Sequence, residues 1–135
     1  MDPSVVRARV EGARVGRLAT VTTDGHPRVV PCVFALVGDV VYTAVDDVKA
    51  KTTTALRRLD NVRADPRVSL LVDHYDDDWA VLWWVRVDGR ARVLDAGEER
   101  ERALDALAAK YVQYVGARPP GAVLAIDVAT WRAWP

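Results

Sequence analysis

Residues 41–52 read Val41-Tyr42-Thr43-Ala44-Val45-Asp46-Asp47-Val48-Lys49-Ala50-Lys51-Thr52, and their period changes halfway. The first five have the β-branched and aromatic character of a strand. Beyond Lys51, Ala55, Leu59 and Val62 recur at i, i+4 and i+7, which predicts a helix over 51–63 in spite of the β-branched Thr52-Thr53-Thr54, ended by Asp65-Pro66. Upstream, Leu18–Thr22 is a β-branched run, Asp24-Gly25 a hairpin signal and Arg28–Val37 a second, longer strand that Gly38-Asp39 turns into Val40–Val45. The economical reading is three antiparallel strands joined by tight turns. They are preceded by a short helix that Asp2-Pro3 starts, with Val6, Val10 and Ala13 on one side, and that ends around Gly12 to Gly16. Downstream, Val68–Val72 and Ala80–Val87 are strands separated by the solvated Asp76-Asp77-Asp78, with a continuation past Asp88-Gly89 through Val93 left open. A helix follows from about Gly97 to Val115 with Leu104, Leu107, Tyr111 and Tyr114 on one side; Pro119-Pro120-Gly121 breaks it, and Val123–Val128 is the closing strand. This order lacks the strand–helix alternation of a parallel sheet. It predicts a mainly β fold, a closed antiparallel β-barrel with flanking helices, in one domain over 1–135.

Along the strand from Ala80, Val81, Trp83, Val85 and Val87 alternate with Leu82 and Trp84, so both faces are apolar near the middle. A barrel has one inside. The second face needs a helix or another subunit, and a twofold homodimer is the commonest arrangement for a chain this small.

The 135 residues, half of them apolar, suit one domain that buries roughly two thirds of the surface exposed by its unfolded chain. Nineteen basic residues balance nineteen acidic ones, so no overall field recruits nucleic acid or an acidic membrane, and neither is expected as a partner. The single cysteine, Cys32, has no internal bridging partner and no zinc-type spacing surrounds it, which points to a reducing compartment, the cytoplasm by default. Met1–Glu11 has no signal-peptide core, and no apolar run is long enough to span a bilayer.

The chemistry concentrates where the strand meets the helix. Lys49 and Lys51 in a first helical turn face the positive end of the helix dipole, an unfavourable placement of a few tenths of a kcal/mol each that a bound anion reverses. A phosphate there gains charge-assisted hydrogen bonds of about 1.5–3 kcal/mol apiece. The other reading, lysines solvated beside Asp46 and Asp47, stays open on periodicity alone. Between Lys49 and Arg67 six basic residues stand against two acidic ones with no interleaved aromatic residue, a patch better suited to a phosphorylated small molecule than to nucleic acid. His26 follows a turn and reads as exposed; His74 is the better acid–base candidate. Asp76–Asp78 point in different directions and read as solvated, with no metal expected; Cys32 reads as a buried inert thiol and Trp83 and Trp84 as core or interface.

The run from Val41 to Asp73, with YT, KAKT and RRLDNVRADPRVSLLVD, together with the opening GRLAT and DGHP, resembles the pyridoxamine 5'-phosphate oxidase-like split β-barrels over nearly the whole chain. The resemblance implies a homodimer binding a flavin-type coenzyme. Its phosphate lies at the strand-to-helix corner, so Tyr42, Thr43, Lys49, Lys51 and Thr52 match by position, and Val29, Val30, Pro31 and Cys32 stand where the ring-lining strand runs. Two departures point away from flavin mononucleotide (FMN): Val48-Lys49 replaces an Arg-Lys pair, and Val33 stands where a cationic residue is common. The closing strand lacks the arginine-rich ending of the vitamin B6 oxidases. The GRLATVTTDG opening and the KAKT helix start are most similar to the branch using the deazaflavin coenzyme F420. That implies an oxidoreductase passing hydride between reduced F420 and a small electron-poor substrate, with Arg57 and Arg58 on the coenzyme's acidic tail and Trp79, from either subunit, closing the pocket. The alternatives are an FMN enzyme of the same fold and a non-catalytic flavin or tetrapyrrole binder, for which His26 and His74 are the axial ligands available.

Overall fold

The structure, a computed structural model, describes residues 1–45 and 53–135, with the backbone alone at 53–56. The elements are α1 (Pro3–Gly12), β1 (Gly16–Val21), β2 (Pro27–Cys32), β3 (Ala35–Val37), β4 (Val40–Ala44), α2 (Thr53–Ala64), β5 (Arg67–His74), β6 (Trp83–Leu94), α3 (Glu98–Lys110) and β7 (Val123–Trp134). The seven strands form one antiparallel sheet in the order β2-β1-β5-β6-β7-β4-β3.

The mainly β, antiparallel architecture with three flanking helices is as expected, but the region from Arg28 to Val37 is not one strand. It is two, and they occupy opposite edges of the sheet. Only Val33 and Phe34 connect them. A flat seven-stranded sheet would set its edges about 29 Å apart, whereas the step from Cys32 to Ala35 spans at most about 11 Å. The sheet therefore curls until its edges meet, and the barrel is split at this seam. The break has a long-range cause: Phe34 is fully buried, and its N–H and C=O bond to the Tyr111 hydroxyl (3.2 and 3.1 Å) instead of to a neighbouring strand.

Inside the curl pack Leu18, Phe34, Val41, Leu70, Val85, Val87, Leu124 and Ile126, joined by Val6 and Val10 of α1 and Val62 of α2. Each large side chain so buried contributes about 1.5–3 kcal/mol. A second cluster lies outside it, where Ala103, Leu104 and Leu107 of α3 and the following Tyr111 cover Ala35, Tyr42, Ala44, Val123 and Ala125. β4 and the first part of β7 are thus buried on both faces, which explains the apolar run Val123–Ile126 and a β4 whose one polar side chain, Thr43, is buried and hydrogen-bonded. An ionic clamp holds α3 there: Arg92 on β6 pairs with Glu99 of α3 (2.9 Å) and Asp127 of β7 (2.7 Å), and the Tyr42 hydroxyl donates to Glu99 (2.8 Å).

Other boundaries differ from the sequence reading for identifiable reasons. Trp79–Val81 is a 3-10 turn rather than the start of a strand, because Asp78 caps it by accepting from the Ala80 N–H (3.0 Å). Val81 is consequently exposed and out of the alternation with Trp83. The helix after Gly97 stops at Lys110, leaving Tyr111 at its C-cap and Tyr114 in a further 3-10 turn. β6 runs through Asp88-Gly89 to Leu94 with a bulge there, and β7 extends to Trp134 because it pairs with β6 along that whole length.

At the bulge, a Cβ on Gly89 would collide with the Asp127 carbonyl, a backbone atom that cannot swing aside. Gly89→Ala is expected to destabilise the protein by about 1–3 kcal/mol, whereas Gly12→Ala, with open space at its Cβ, should be neutral or slightly stabilising; urea unfolding of the two variants checks the contrast. Lys110 supplies a pH-dependent test. Its Nζ is buried without a hydrogen-bond partner among the described residues, 3.9 Å from the Phe34 ring centroid, and burial, followed by Arg14, pushes its pKa down to about 8. Between about 8 and the ordinary 10.5 the unfolded chain binds more protons than the folded one at this site, so stability should rise with pH across that window. Lys110→Met should lack this contribution, so that subtracting its pH–stability curve from that of the wild type leaves the rise between about 8 and 10.5.

Candidate functional site

The β1–β2 hairpin is built by local chemistry. Gly25 takes φ +90°, the Thr22 N–H bonds to the His26 carbonyl (2.8 Å), and the Thr22 hydroxyl accepts from the His26 N–H (2.8 Å). The rigid hairpin stands beside α2, and the two enclose a cavity of about 480 Å³ lined by Thr20, Thr22, Thr23, Asp24, Arg28, Val30, Arg57, Arg58, Asp60 and Asn61. Three guanidinium groups face two carboxylates around hydroxyl and amide donors and one apolar wall, Val30. Such a lining suits an anionic, partly apolar small molecule: the cations attract it, Thr20, Thr23 and Asn61 can donate, and Val30 takes a hydrophobic surface, while the Thr22 hydroxyl is already donated to Asp24.

The structure brings together only some of the residues singled out from sequence. Val30 and Arg57 share this cavity with Arg58. Strand alternation sends Val29 to the other side of the sheet, where it is 64% exposed and lines a groove of about 420 Å³ with Arg17, Ala19, Ser69, Leu71, Asp73, Trp84 and Arg86. Pro31, two residues further along the strand, shares that face and is exposed. Cys32 is half-buried at the end of β2, its thiol pushed up by burial in spite of a hydrogen bond with Thr43. Tyr42 and Thr43 are buried and already engaged, the first with Glu99 and the second by donating to the Val33 carbonyl (2.8 Å). Burial also raises the Tyr42 phenol, while the Arg92 guanidinium holds Glu99 down at about 2. Trp79 is 71% exposed. Lys49, Lys51 and Thr52 lie outside the described residues.

His26 is exposed, with its ring 3.8 Å from Asp24, and His74 stacks on Trp83 (centroids 6.2 Å apart) beside the exposed Tyr75. Of Asp76–Asp78, Asp76 accepts from the Asp78 N–H (2.7 Å) and Asp78 caps the 3-10 turn. Sequence reasoning missed Thr20, Thr22, Arg28 and Asn61. The signal was present: Arg28 is two residues before Val30 on one strand, and Asn61 is one helical turn past Arg57.

A family model described as pyridoxamine 5'-phosphate oxidase matches residues 3–135. The comparison with curated proteins returns no match. Among solved structures, a conserved hypothetical protein of Mycobacterium tuberculosis superposes with a TM-score of 0.81 at 22% identity, over 99% of this chain and 84% of that one. An FAD-binding protein of Mesorhizobium loti superposes with a TM-score of 0.75 at 24% identity, over 98% and 94%. The haem storage protein HutZ of Vibrio cholerae gives 0.75 at 12% identity, over 98% and 92%. At these identities the structural likeness speaks for the fold.

The half-buried Cys32 thiol allows a check of the site's interior. At pH 8, iodoacetamide should alkylate Cys32 more slowly in the folded protein than in the urea-unfolded chain, because both its raised pKa and its burial work against attack. Equal rates would contradict this placement of β2.

Proposed function

The chain belongs to the pyridoxamine 5'-phosphate oxidase family, and from that premise we propose that it is an oxidoreductase that holds the deazaflavin coenzyme F420 and passes hydride from it to a small electron-poor substrate. The observation that carries this reading is the cavity between the β1–β2 hairpin and α2, where Val30 faces the Arg57 and Arg58 guanidiniums. These groups have the complementary chemistry for a coenzyme with an aromatic ring at one end and a phosphate and acidic tail at the other. When bound, a deazaflavin supplies two electrons and a hydride in one step, so the protein's own task is orientation and exclusion of water.

Each residue's part follows from its chemistry. Arg28, Arg57 and Arg58 neutralise the acidic tail, and Thr20 and Asn61 donate to it, the Thr22 hydroxyl being already committed to Asp24. Val30 offers an apolar wall. Lys49 and Lys51 are assigned to the phosphate by resemblance. Neither histidine lines the cavity, and no protein nucleophile is required by hydride transfer.

The proposal includes a twofold homodimer. The outer face of β2, β1, β5 and β6 exposes Val29 and groups it with Ala19, Leu71 and Trp84 beside an Arg17–Asp73 ion pair (3.3 Å). That mixture of apolar surface and paired charge suits an isologous contact. Trp79, exposed in the single chain, is assigned to closing the pocket once two copies associate.

Titration of the purified protein with F420, followed by fluorescence, should show micromolar binding, on the order of –8 kcal/mol. Arg57→Glu/Arg58→Glu should weaken it by about tenfold or more, as expected for the loss of one charge-assisted hydrogen bond. Undiminished affinity there, or in Lys51→Ala, would remove those residues from the site. Tight binding of FMN alone would favour an FMN enzyme, and a haemin complex abolished by His74→Ala a tetrapyrrole binder. Light scattering should report a dimer that Trp84→Glu converts to monomer.

A further inference from the structure

We propose that Tyr111 is a positioning residue for the coenzyme cavity, its hydroxyl clamping the Val33-Phe34 link and so setting where the β2 wall stands. The proposal rests on the coenzyme reading of the hairpin cavity. β2 is an edge strand, held by β1 on one side only. Its far end is paired with Gly16 of β1 at Cys32 and has no strand on its other side, so whatever fixes the chain immediately after Cys32 also bears on where it stands. Two side chains do this. The Tyr111 hydroxyl accepts from the Phe34 N–H (3.2 Å) and shares its own hydrogen between the carbonyls of Phe34 (3.1 Å) and Arg14 (3.0 Å). Thr43 donates to the carbonyl of Val33 (2.8 Å).

One phenolic oxygen thus ties three segments: the link between β2 and β3, the approach to β1 at Arg14, and the end of α3. β1 and β2 are the two strands of the hairpin that forms one side of the cavity. Tyr111 is only 5% exposed and its ring lies under the Arg14 guanidinium (4.6 Å), so it has no freedom to follow the link if the link moves. It does not line the cavity. Its influence passes through the backbone of the hairpin. Tyr111→Phe removes the oxygen while keeping the ring, leaving the Phe34 N–H and C=O buried and unpaired. The cheapest relief is for the link to shift toward water, carrying Cys32 and Val30 with it.

The test compares wild type, Tyr111→Phe, Thr43→Val and Leu104→Ala by amide hydrogen exchange, thermal unfolding and F420 and FMN titration. Leu104 lies in the same α3 cluster without a bond to the link, so its truncation supplies a loss of stability with no loss of the clamp. In Tyr111→Phe, exchange at Phe34 should accelerate, and coenzyme affinity should fall, each by about tenfold, as for one buried hydrogen bond. Thr43→Val should weaken affinity in the same direction, and Leu104→Ala should leave it within about twofold despite a lower melting temperature. Unchanged affinity in Tyr111→Phe, or an equal loss in Leu104→Ala, would overturn the positioning role. If Tyr111→Phe does not fold, unchanged affinity in Thr43→Val overturns it. If the wild type binds neither coenzyme, the coenzyme reading fails and the positioning role with it. A Phe34 amide that still becomes labile in Tyr111→Phe would show, separately, that the clamp on the link is real.

Discussion

Two residues join the outermost strands of a seven-stranded sheet, and that connection governs the rest of the molecule. A sheet whose edges are tied by Val33 and Phe34 has no choice but to roll up. Rolling creates an interior for Leu18, Leu70, Val85, Val87, Leu124 and Ile126, and leaves a seam that has no strand-to-strand ladder of its own. The backbone polar groups at the seam are buried, so their bonds must come from side chains. Tyr111 and Thr43 supply them.

The position of α3 is the second consequence. It covers the outer side of β3, β4 and β7 close to the seam, and its C-terminal end delivers both Tyr111 and Lys110 to Phe34. The Arg92–Glu99–Tyr42 clamp fixes the other end of the helix on the sheet. Because Arg92, Glu99 and Asp127 keep partial contact with water, the clamp contributes orientation more than stability. Lys110 works against the fold, since among the described residues its ammonium loses water for the ring faces of Phe34 and Tyr111, and burial outweighs the attraction of Glu11.

The cavity depends on the same geometry at one remove. The hairpin is stiff within itself, α2 is anchored through Val62 in the core, and the space between them collects Arg28, Arg57 and Arg58 around Val30. The opposite side of the same strands carries a second, more apolar surface with Val29, Leu71 and Trp84. Alternate residues of β2 therefore line two different surfaces, Arg28 and Val30 the cavity and Val29 the groove on the other face of the sheet. Family membership makes a flavin-type coenzyme the natural occupant of the first, and the choice of a deazaflavin is our proposal.

Much of this was legible in the sequence. The residues of α1, β1, α2, β5 and the start of α3 could be placed because capping residues, hairpin signals and hydrophobic period act over a few residues, and each was sufficient locally. The antiparallel β class followed from element order, and the YT, KAKT and GRLAT motifs carried the resemblance to the family. What the sequence could not determine was which strands are neighbours. From Arg28 to Val37 it reads as one extended run, since a break made by burying Phe34 against Tyr111, 77 positions away, leaves no local mark. The engagement of Tyr42 by Glu99 and the meeting of Arg28 with Arg58 were likewise decided only by tertiary structure, because each depends on contacts between residues that the chain brings together only after the sheet has curled.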